Sequence, residues 1–331
     1  MFDFGGLKSL AVLIAGECML ELALPEGLVG VSPSTKLAMG GDTLNTAVYL
    51  SRLGAEVSYL TALGDDPYSE WMLEQWRSEG VNTSSVQRLA GALPGLYAIQ
   101  TDAHGERSFH YWRAQSAAKQ WFRSERSKTQ WLELLSPFGV FYLSGITLSL
   151  MTDAGHETLV AALREWRTRG GCVVFDINFR PKGWVSRPHA QQVMSAMLTV
   201  TDVGLPTLDD EQDLFDGQSE EEVIARYQAA GVTEVLIKRG PSGVVIAGGA
   251  ERREVPARKV DHVVDTTGAG DSFNGGYLAG RLSQLKPEQA ALQAHQLAAA
   301  VIGVRGAIIP RGQTDPLSVG GSEGSSGDLG L

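Results

Sequence analysis

The sequence predicts an α/β protein built on a mostly parallel sheet with helices on both faces. Three observations carry that expectation. Short, continuous apolar runs recur along the chain, helix-length segments separate them, and glycine closes many of both. The 331 residues suit one large α/β domain or two ordinary ones.

Taken in order, Leu10–Gly16 (LAVLIAG) reads as a strand buried on both faces. Asp42–Gly54 reads as a helix with an acid at its start and a glycine at its close. Glu56–Gly64 gives a second strand. Pro67–Gly80 follows as a helix whose Trp71, Leu73 and Trp76 read as an aromatic core face rather than a cofactor box. Further strands are expected at Val140–Gly145, Cys172–Asn178, Asp202–Pro206 and Glu234–Gly240, with helices at Ala154–Gly170, Pro188–Thr201 and Glu220–Gly231 between them. Two stretches break the alternation. Leu96–Arg113 looks like a hairpin turning at DAHGE, and Leu20–Met39 is strand-like and punctuated by glycine and proline; together they suggest a small flap over the main sheet. The tail QTDPLSVGGSEGSSGDLGL, residues 313–331, has the polar Gly/Ser composition of a disordered segment.

Composition narrows the function classes. A formal net charge of -10 lacks the clustered Lys and Arg of a nucleic-acid binder, so an anionic ligand needs a local cluster of positive groups. The apolar run near the N-terminus is shorter than the roughly 18 residues that span a bilayer, and no signal peptide is read, so neither a membrane nor a secretory setting is expected. Cys18 and Cys172 lie far apart in apolar runs, the pattern of reduced core thiols in a cytoplasmic protein. The six histidines show no i,i+4 pair and the cysteines no C-x-x-C, which argues against a histidine- or cysteine-bound metal; His104 and His110 read as exposed hairpin residues. Gly320, Ser322 and Gly324 match G-x-S-x-G, yet no strand precedes them and no histidine follows.

The informative string is DTTGAGDSF, Asp265–Phe273. Gly268 and Gly270 supply two positions of G-x-G-x-x-G, but the third falls on Phe273, which disfavours a dinucleotide site; no Gly-Lys-Ser/Thr supports a P-loop. What remains is a glycine-flanked turn entering the helix DSFNGGYLAGRL. The N–H groups that open such a helix, and its dipole, favour an anion there. Asp271 is either an acid at a favourable helix start or a base beside an anion nest, and the surrounding glycines favour the second.

DTTGAGDSFNGGYLAGRL resembles the C-terminal signature of the ribokinase (PfkB) family of sugar kinases, and MGGDTLNTAVYLSRLG resembles its N-terminal glycine-pair signature. The similarity runs from about Leu10 to Arg311. Segments such as GECMLEL, YLSGITL, DINFRPKGW, TLDDE and RGAIIPR are most similar to the members that phosphorylate 2-keto-3-deoxygluconate. The resemblance implies a ribokinase-like three-layer fold over residues 8–312, with a small β-sheet lid from segments near 18–39 and 93–114. It implies ATP and Mg²⁺, a possible monovalent cation, a sugar-acid substrate, and a homo-oligomer formed through the lid.

By the same resemblance Asp271 takes the proton from the sugar 6-hydroxyl, and Gly268, Ala269 and Gly270 form the anion hole. Tyr111, Trp112 and Arg113 reproduce a Y-x-R on the lid, and Arg180 follows a central strand; both arginines are matched to the acid group, against the plain readings of an edge-strand charge and a loop charge. Gly40 and Gly41 are matched to the glycines that let the sugar approach. Asp42 caps the next helix or touches a hydroxyl, the cap being preferred. Tyr97 and Glu21 are matched to lid contacts with the sugar. Lys238 and Gly240 are matched to the strand end that approaches ATP phosphates, with a solvated loop charge the equal alternative for Lys238. Where relatives carry N-x-x-E, this chain reads Thr207-Leu208-Asp209-Asp210 followed by Glu211, so the acid that supports Mg²⁺ stays open between Asp210 and Glu211. Two alternatives accompany this reading: a kinase of the same family for fructose, ribose or a related sugar, and a catalytically silent sugar sensor.

Overall fold

The computed structural model describes residues 1–24, 35–101 and 107–314. The segments 25–34, 102–106 and 315–331 lie outside the described residues, and with them the DAHGE turn, His104, the G-x-S-x-G match and nearly all of the expected tail.

An eight-stranded sheet forms the centre. From one edge its strands are Glu251–Val255, Val244–Gly248, Glu234–Lys238, Val203–Gly204, Cys172–Asp176, Val140–Ser144, Val12–Ala15 and Val57–Leu60. Pairing is parallel from Val57–Leu60 through Glu234–Lys238 and antiparallel for the last two strands. The pleat of each strand divides its side chains between two cores. Val12, Ile14, Val140, Tyr142, Cys172, Val174 and Leu236 face one cluster, whereas Leu13, Ala15, Phe141, Leu143, Val173, Phe175, Val235 and Ile237 face the other. Burial on both faces is why these strands read as unbroken apolar runs.

Helices cover both faces, as expected. Asp42–Arg52, Ala269–Leu282 and Pro287–Ile302 contribute to the first core, and Asp153–Thr168 and Arg187–Leu198 to the second. Close approach holds the last two helices of the first core together. A Cβ on Gly276 would lie 2.9 Å from Ala294 Cα, and one on Gly280 2.9 Å from Ala290 Cα. That contact seats the helix that begins at the DTTGAGD turn.

The expected flap is a separate four-stranded sheet, ordered Lys36–Gly40, Met19–Leu24, Gly95–Thr101, Arg107–Trp112. Met19–Leu24 pairs in parallel with Gly95–Thr101, and the other two pairings are antiparallel.

Three features differ from the sequence reading. The strand expected over Asp202–Pro206 shortens to Val203–Gly204. An edge hairpin, Val244–Gly248 with Glu251–Val255, extends the sheet antiparallel; its outer strand is charged and exposed except at Val255, which protects the edge from further pairing. The N-cap of Asp42–Arg52 is Gly41, with Asp42 inside the first turn, so Asp42 is not the cap. Its carboxylate accepts a hydrogen bond from Asn178 Nδ2 at 2.7 Å instead.

Candidate active site

The DTTGAGD turn is shaped by its own side chains. Asp265 accepts from the Thr267 backbone N–H at 3.0 Å and hydroxyl at 2.7 Å through Oδ1, and from the Gly306 N–H at 2.8 Å through Oδ2. Gly268 then adopts φ +76 and caps the helix Ala269–Leu282. A Cβ there would sit 2.9 Å from Ala307 Cα, so both conformation and space require glycine. Gly268, Ala269 and Gly270 thus open a helix whose first N–H groups lack partners within it. The Ala269 N–H donates to the Thr266 carbonyl at 3.2 Å.

Asp271 stands in the first turn of that helix. Its Oδ2 accepts from Asn45 Nδ2 at 2.8 Å, and the Thr46 hydroxyl donates to its carbonyl at 3.1 Å. Burial pushes its carboxyl up to about 7; Asp42 and Asp176 add to the rise, opposed by Asn45 and Lys238. Burial also raises Asp42, with Asp176 contributing. Repulsion among neighbouring carboxylates thus adds to burial in favouring the protonated forms of Asp271 and Asp42.

A buried polar network underlies them. Lys238 ends one parallel strand and Asp176 another. Lys238 Nζ donates to Asp176 Oδ2 and to Asn274 Oδ1, both at 3.0 Å; Asn274 Nδ2 donates to Asp176 Oδ2 at 2.6 Å and to the Tyr142 hydroxyl at 3.0 Å. Asn274 lies one helical turn beyond Asp271, on the same face. Lys238 Nζ lies 3.7 Å from the position a Cβ on Gly270 would take. The lysine ammonium and the glycine turn therefore lie close together. Gly240 begins a short 3₁₀ turn after the same strand, with φ +54.

On the lid side, Gly40 ends a lid strand and Gly41 leads straight into the helix bearing Asp42 and Asn45. A Cβ on Gly40 would meet the Tyr97 hydroxyl at 2.2 Å, and one on Gly41 the Glu17 carbonyl oxygen at 2.3 Å. The glycine pair is thus required by the protein's own packing. Tyr97 donates its hydroxyl to Glu21, and its ring lies 5.9 Å from that of exposed Tyr111. Arg113 forms an ion pair with buried Glu17, which also accepts from the Ser116 hydroxyl. Glu17 is the lid acid the sequence reading did not single out.

Arg180 donates from Nη1 to Asp210 Oδ1 at 2.9 Å and to the Phe179 carbonyl at 2.6 Å, with 56% of its side chain exposed. Burial raises the Asp210 carboxyl, with Arg180 opposing. Glu211 points elsewhere: fully buried, it accepts from Arg226 and from the Tyr227 hydroxyl. Of the two acids considered for Mg²⁺, Glu211 is withdrawn into the core because the helix Leu208–Leu214 turns adjacent residues about 100° apart.

Asn45, Asp176, Asn178, Asn274 and Glu17 escaped the sequence reading. Their signal was a polar residue inside or at the end of an apolar run, as in CVVFDIN and DTLNTAV, which marks a buried hydrogen-bonding group.

The profile of the pfkB family carbohydrate kinases matches residues 10–314. The 2-dehydro-3-deoxygluconokinase of Escherichia coli (strain K12) is 47% identical over 311 residues, covering 92% of this chain and 98% of that protein. A crystal structure of 2-dehydro-3-deoxygluconokinase from Thermotoga maritima superposes with a TM-score of 0.76 at 25% identity, covering 93% of this chain and 99% of that one. A putative ribokinase II from E. coli, solved with ATP and Mg²⁺, gives a TM-score of 0.77 at 22% identity over 90% and 94% of the two chains.

Proposed function

The chain belongs to the pfkB family of carbohydrate kinases, and from that premise we propose that it phosphorylates 2-keto-3-deoxygluconate at the 6-hydroxyl, with ATP as donor. The observation that carries the chemistry is the Asp271 carboxyl beside the glycine turn. Asp271 takes the hydroxyl proton as the substrate oxygen bonds to the γ-phosphorus and the bond to the β-phosphate oxygen breaks, releasing ADP. Gly268 and Gly270 hold the phosphoryl oxygens through backbone N–H groups, joined by Ala269 when its N–H exchanges the Thr266 carbonyl for phosphate, while Asn45 orients the base. Phosphoryl transfer asks little covalent chemistry of a protein, so these positioning contacts are the catalysis.

The residues present fit a triphosphate and its metal. Lys238 and the open helix start supply positive potential, and Asp210 supplies the oxygen donor that Mg²⁺ prefers. Bound Mg²⁺ neutralises phosphate charge. A monovalent cation, implied by the same resemblance, is tested by comparing turnover in potassium and tetramethylammonium salts.

For the substrate acid group we assign Arg180 and Arg113, with Tyr97, Tyr111, Glu21, Gly40, Gly41 and Asp42 along the sugar. Both guanidiniums are held by carboxylates, Asp210 and Glu17, which aim them without neutralising their outer N–H donors. The relative's name supports this substrate over a neutral sugar. A coupled ADP assay with 2-keto-3-deoxygluconate beside fructose and ribose tests it. Preference for the acid by at least tenfold in kcat/KM is expected, and Arg180→Ala should erase most of that preference; equal use of a neutral hexose refutes the assignment.

We also propose that the lid face bearing Leu37 and Trp112, both exposed and opposite the face that carries Tyr97, Phe109 and Tyr111, packs against a second copy of the chain. Light scattering of the wild type beside Trp112→Glu tests this. A cytoplasmic setting suits the two free, buried thiols. Among the described residues no helix is long and apolar enough to cross a membrane.

A further inference from the structure

Away from the phosphoryl-transfer site, Asp153, His156 and His189 bring three donor atoms within 4.8 Å of one another. Asp153 and His156 stand one turn apart at the start of the helix Asp153–Thr168, and His189 lies in the first turn of Arg187–Leu198. His156 is only 7% exposed, and its Nε2 lies 2.8 Å from the Leu148 carbonyl oxygen. A carbonyl can only accept, so Nε2 carries the proton and the neutral ring keeps a bare lone pair on Nδ1. That Nδ1 is buried, has no hydrogen-bond partner, and faces Asp153 Oδ1 at 3.8 Å. Two electron-rich atoms thus confront each other across a gap. Asp153 Oδ1 also lies 2.8 Å from His189 Nε2.

We propose that Asp153 Oδ1, His156 Nδ1 and His189 Nε2 bind a divalent transition-metal ion of the zinc class. Two imidazole nitrogens and one carboxylate favour Zn²⁺ or Co²⁺ over Mg²⁺ or Ca²⁺, which seek all-oxygen shells. The Leu148 carbonyl holding Nε2–H is the outer support that ligating histidines generally use to fix tautomer and ring orientation. His156 and His189 border a cavity of about 250 Å³ also lined by Lys119 and Arg123, leaving room at the open coordination position for water or a small anion. The Trp184 ring stacks over His156 at 6.4 Å and meets His189 edge-on at 5.6 Å. Trp184 follows Arg180 in the same short segment, so the ion would brace the two helix starts and the chain that presents Arg180.

Sequence inspection for i,i+4 histidine pairs could not find this site, because its second histidine arrives from another helix.

The test uses the untagged full chain, stripped with chelator and free of nucleotide. Calorimetric titration with Zn²⁺ should show one ion per chain, Co²⁺ should develop visible d–d bands, and the thermal midpoint should rise with either ion. His189→Gln and Asp153→Asn alter partly exposed side chains and keep the fold by circular dichroism; each should weaken Zn²⁺ at least about tenfold. Millimolar Mg²⁺ should not compete. Failure to bind Zn²⁺ and Co²⁺ at micromolar concentrations overturns the proposal. So does unchanged affinity in both variants, or stabilisation by inorganic phosphate in the cavity with none by metal.

Discussion

Asn45 Nδ2 donates a 2.8 Å hydrogen bond to Asp271 Oδ2 and joins the first turns of two helices that are 226 residues apart in the chain. The bond occupies one carboxylate oxygen; in the proposed reaction the other takes the proton of the substrate hydroxyl.

Asp271→Asn keeps the acceptor for Asn45 and removes the base. Turnover should fall by roughly 10² to 10⁴-fold with the KM for the sugar acid changed less than about threefold. Steady-state kinetics check this; near-normal turnover would mean that another group accepts the proton.

The raised carboxyl should be visible in both rate and stability. Asp271 must be ionised to act, so kcat should climb with pH and level off above an inflection near 7. Its folded pKa lies above the unfolded value, so the folded state binds the extra proton and stability falls as pH rises from about 4 to 7. Asp271→Asn should consequently be more stable than wild type at pH 8, by about 1 to 4 kcal/mol, with the gap closing toward pH 4. Urea denaturation at several pH values measures it. A variant less stable than wild type at pH 8 contradicts the assignment.

Asn45 acts through Asp271 and is a positioning residue. Because its hydrogen bond holds the carboxyl down, Asn45→Ala should move the acidic limb of the pH–kcat profile upward by about one unit, the worth of a hydrogen bond to a charged group. A uniform loss of rate with an unmoved profile would assign Asn45 a merely structural role.

Gly268→Ala should cost at least about 1 to 2 kcal/mol from the left-handed backbone alone, beyond the Cβ contact with Ala307. The turn that presents the N–H groups would shift. Calorimetry should show the lower midpoint, and kinetics a raised KM for ATP.

Lys238→Met removes one partner of the buried pair with Asp176. Leaving that carboxylate to Asn274 and the Asn178 backbone N–H should destabilise the protein by about 3 to 5 kcal/mol. Denaturation of Lys238→Met beside the double variant Lys238→Met/Asp176→Leu separates the two contributions; the double variant should recover part of the loss.

Much of this molecule is written locally. Runs such as CVVFDIN and LAVLIAG declare strands buried on both sides, because both pleat faces meet helices. The helix expected from Pro67 begins there, and the structure caps it with Asp66. Errors arise where a local rule had two solutions. Asp42 looks like a cap, yet Gly41 takes that place and frees the carboxylate for Asn178. Asp210 and Glu211 look interchangeable, yet helical rotation sends one toward Arg180 and the other into the core.

The sequence by itself determined the alternating α/β plan, the glycine turn before Asp271 and the separate lid, since backbone conformation and burial of apolar runs are encoded within a few residues. Tertiary structure alone decided which distant groups meet: Asn45 with Asp271, Lys238 with Asp176 and Asn274, Glu17 with Arg113, and His189 with Asp153 and His156. The physical reason is that pKa values and ligand sets depend on separations of a few ångströms between side chains delivered by different strands and helices, and spacing along the chain carries no measure of those distances.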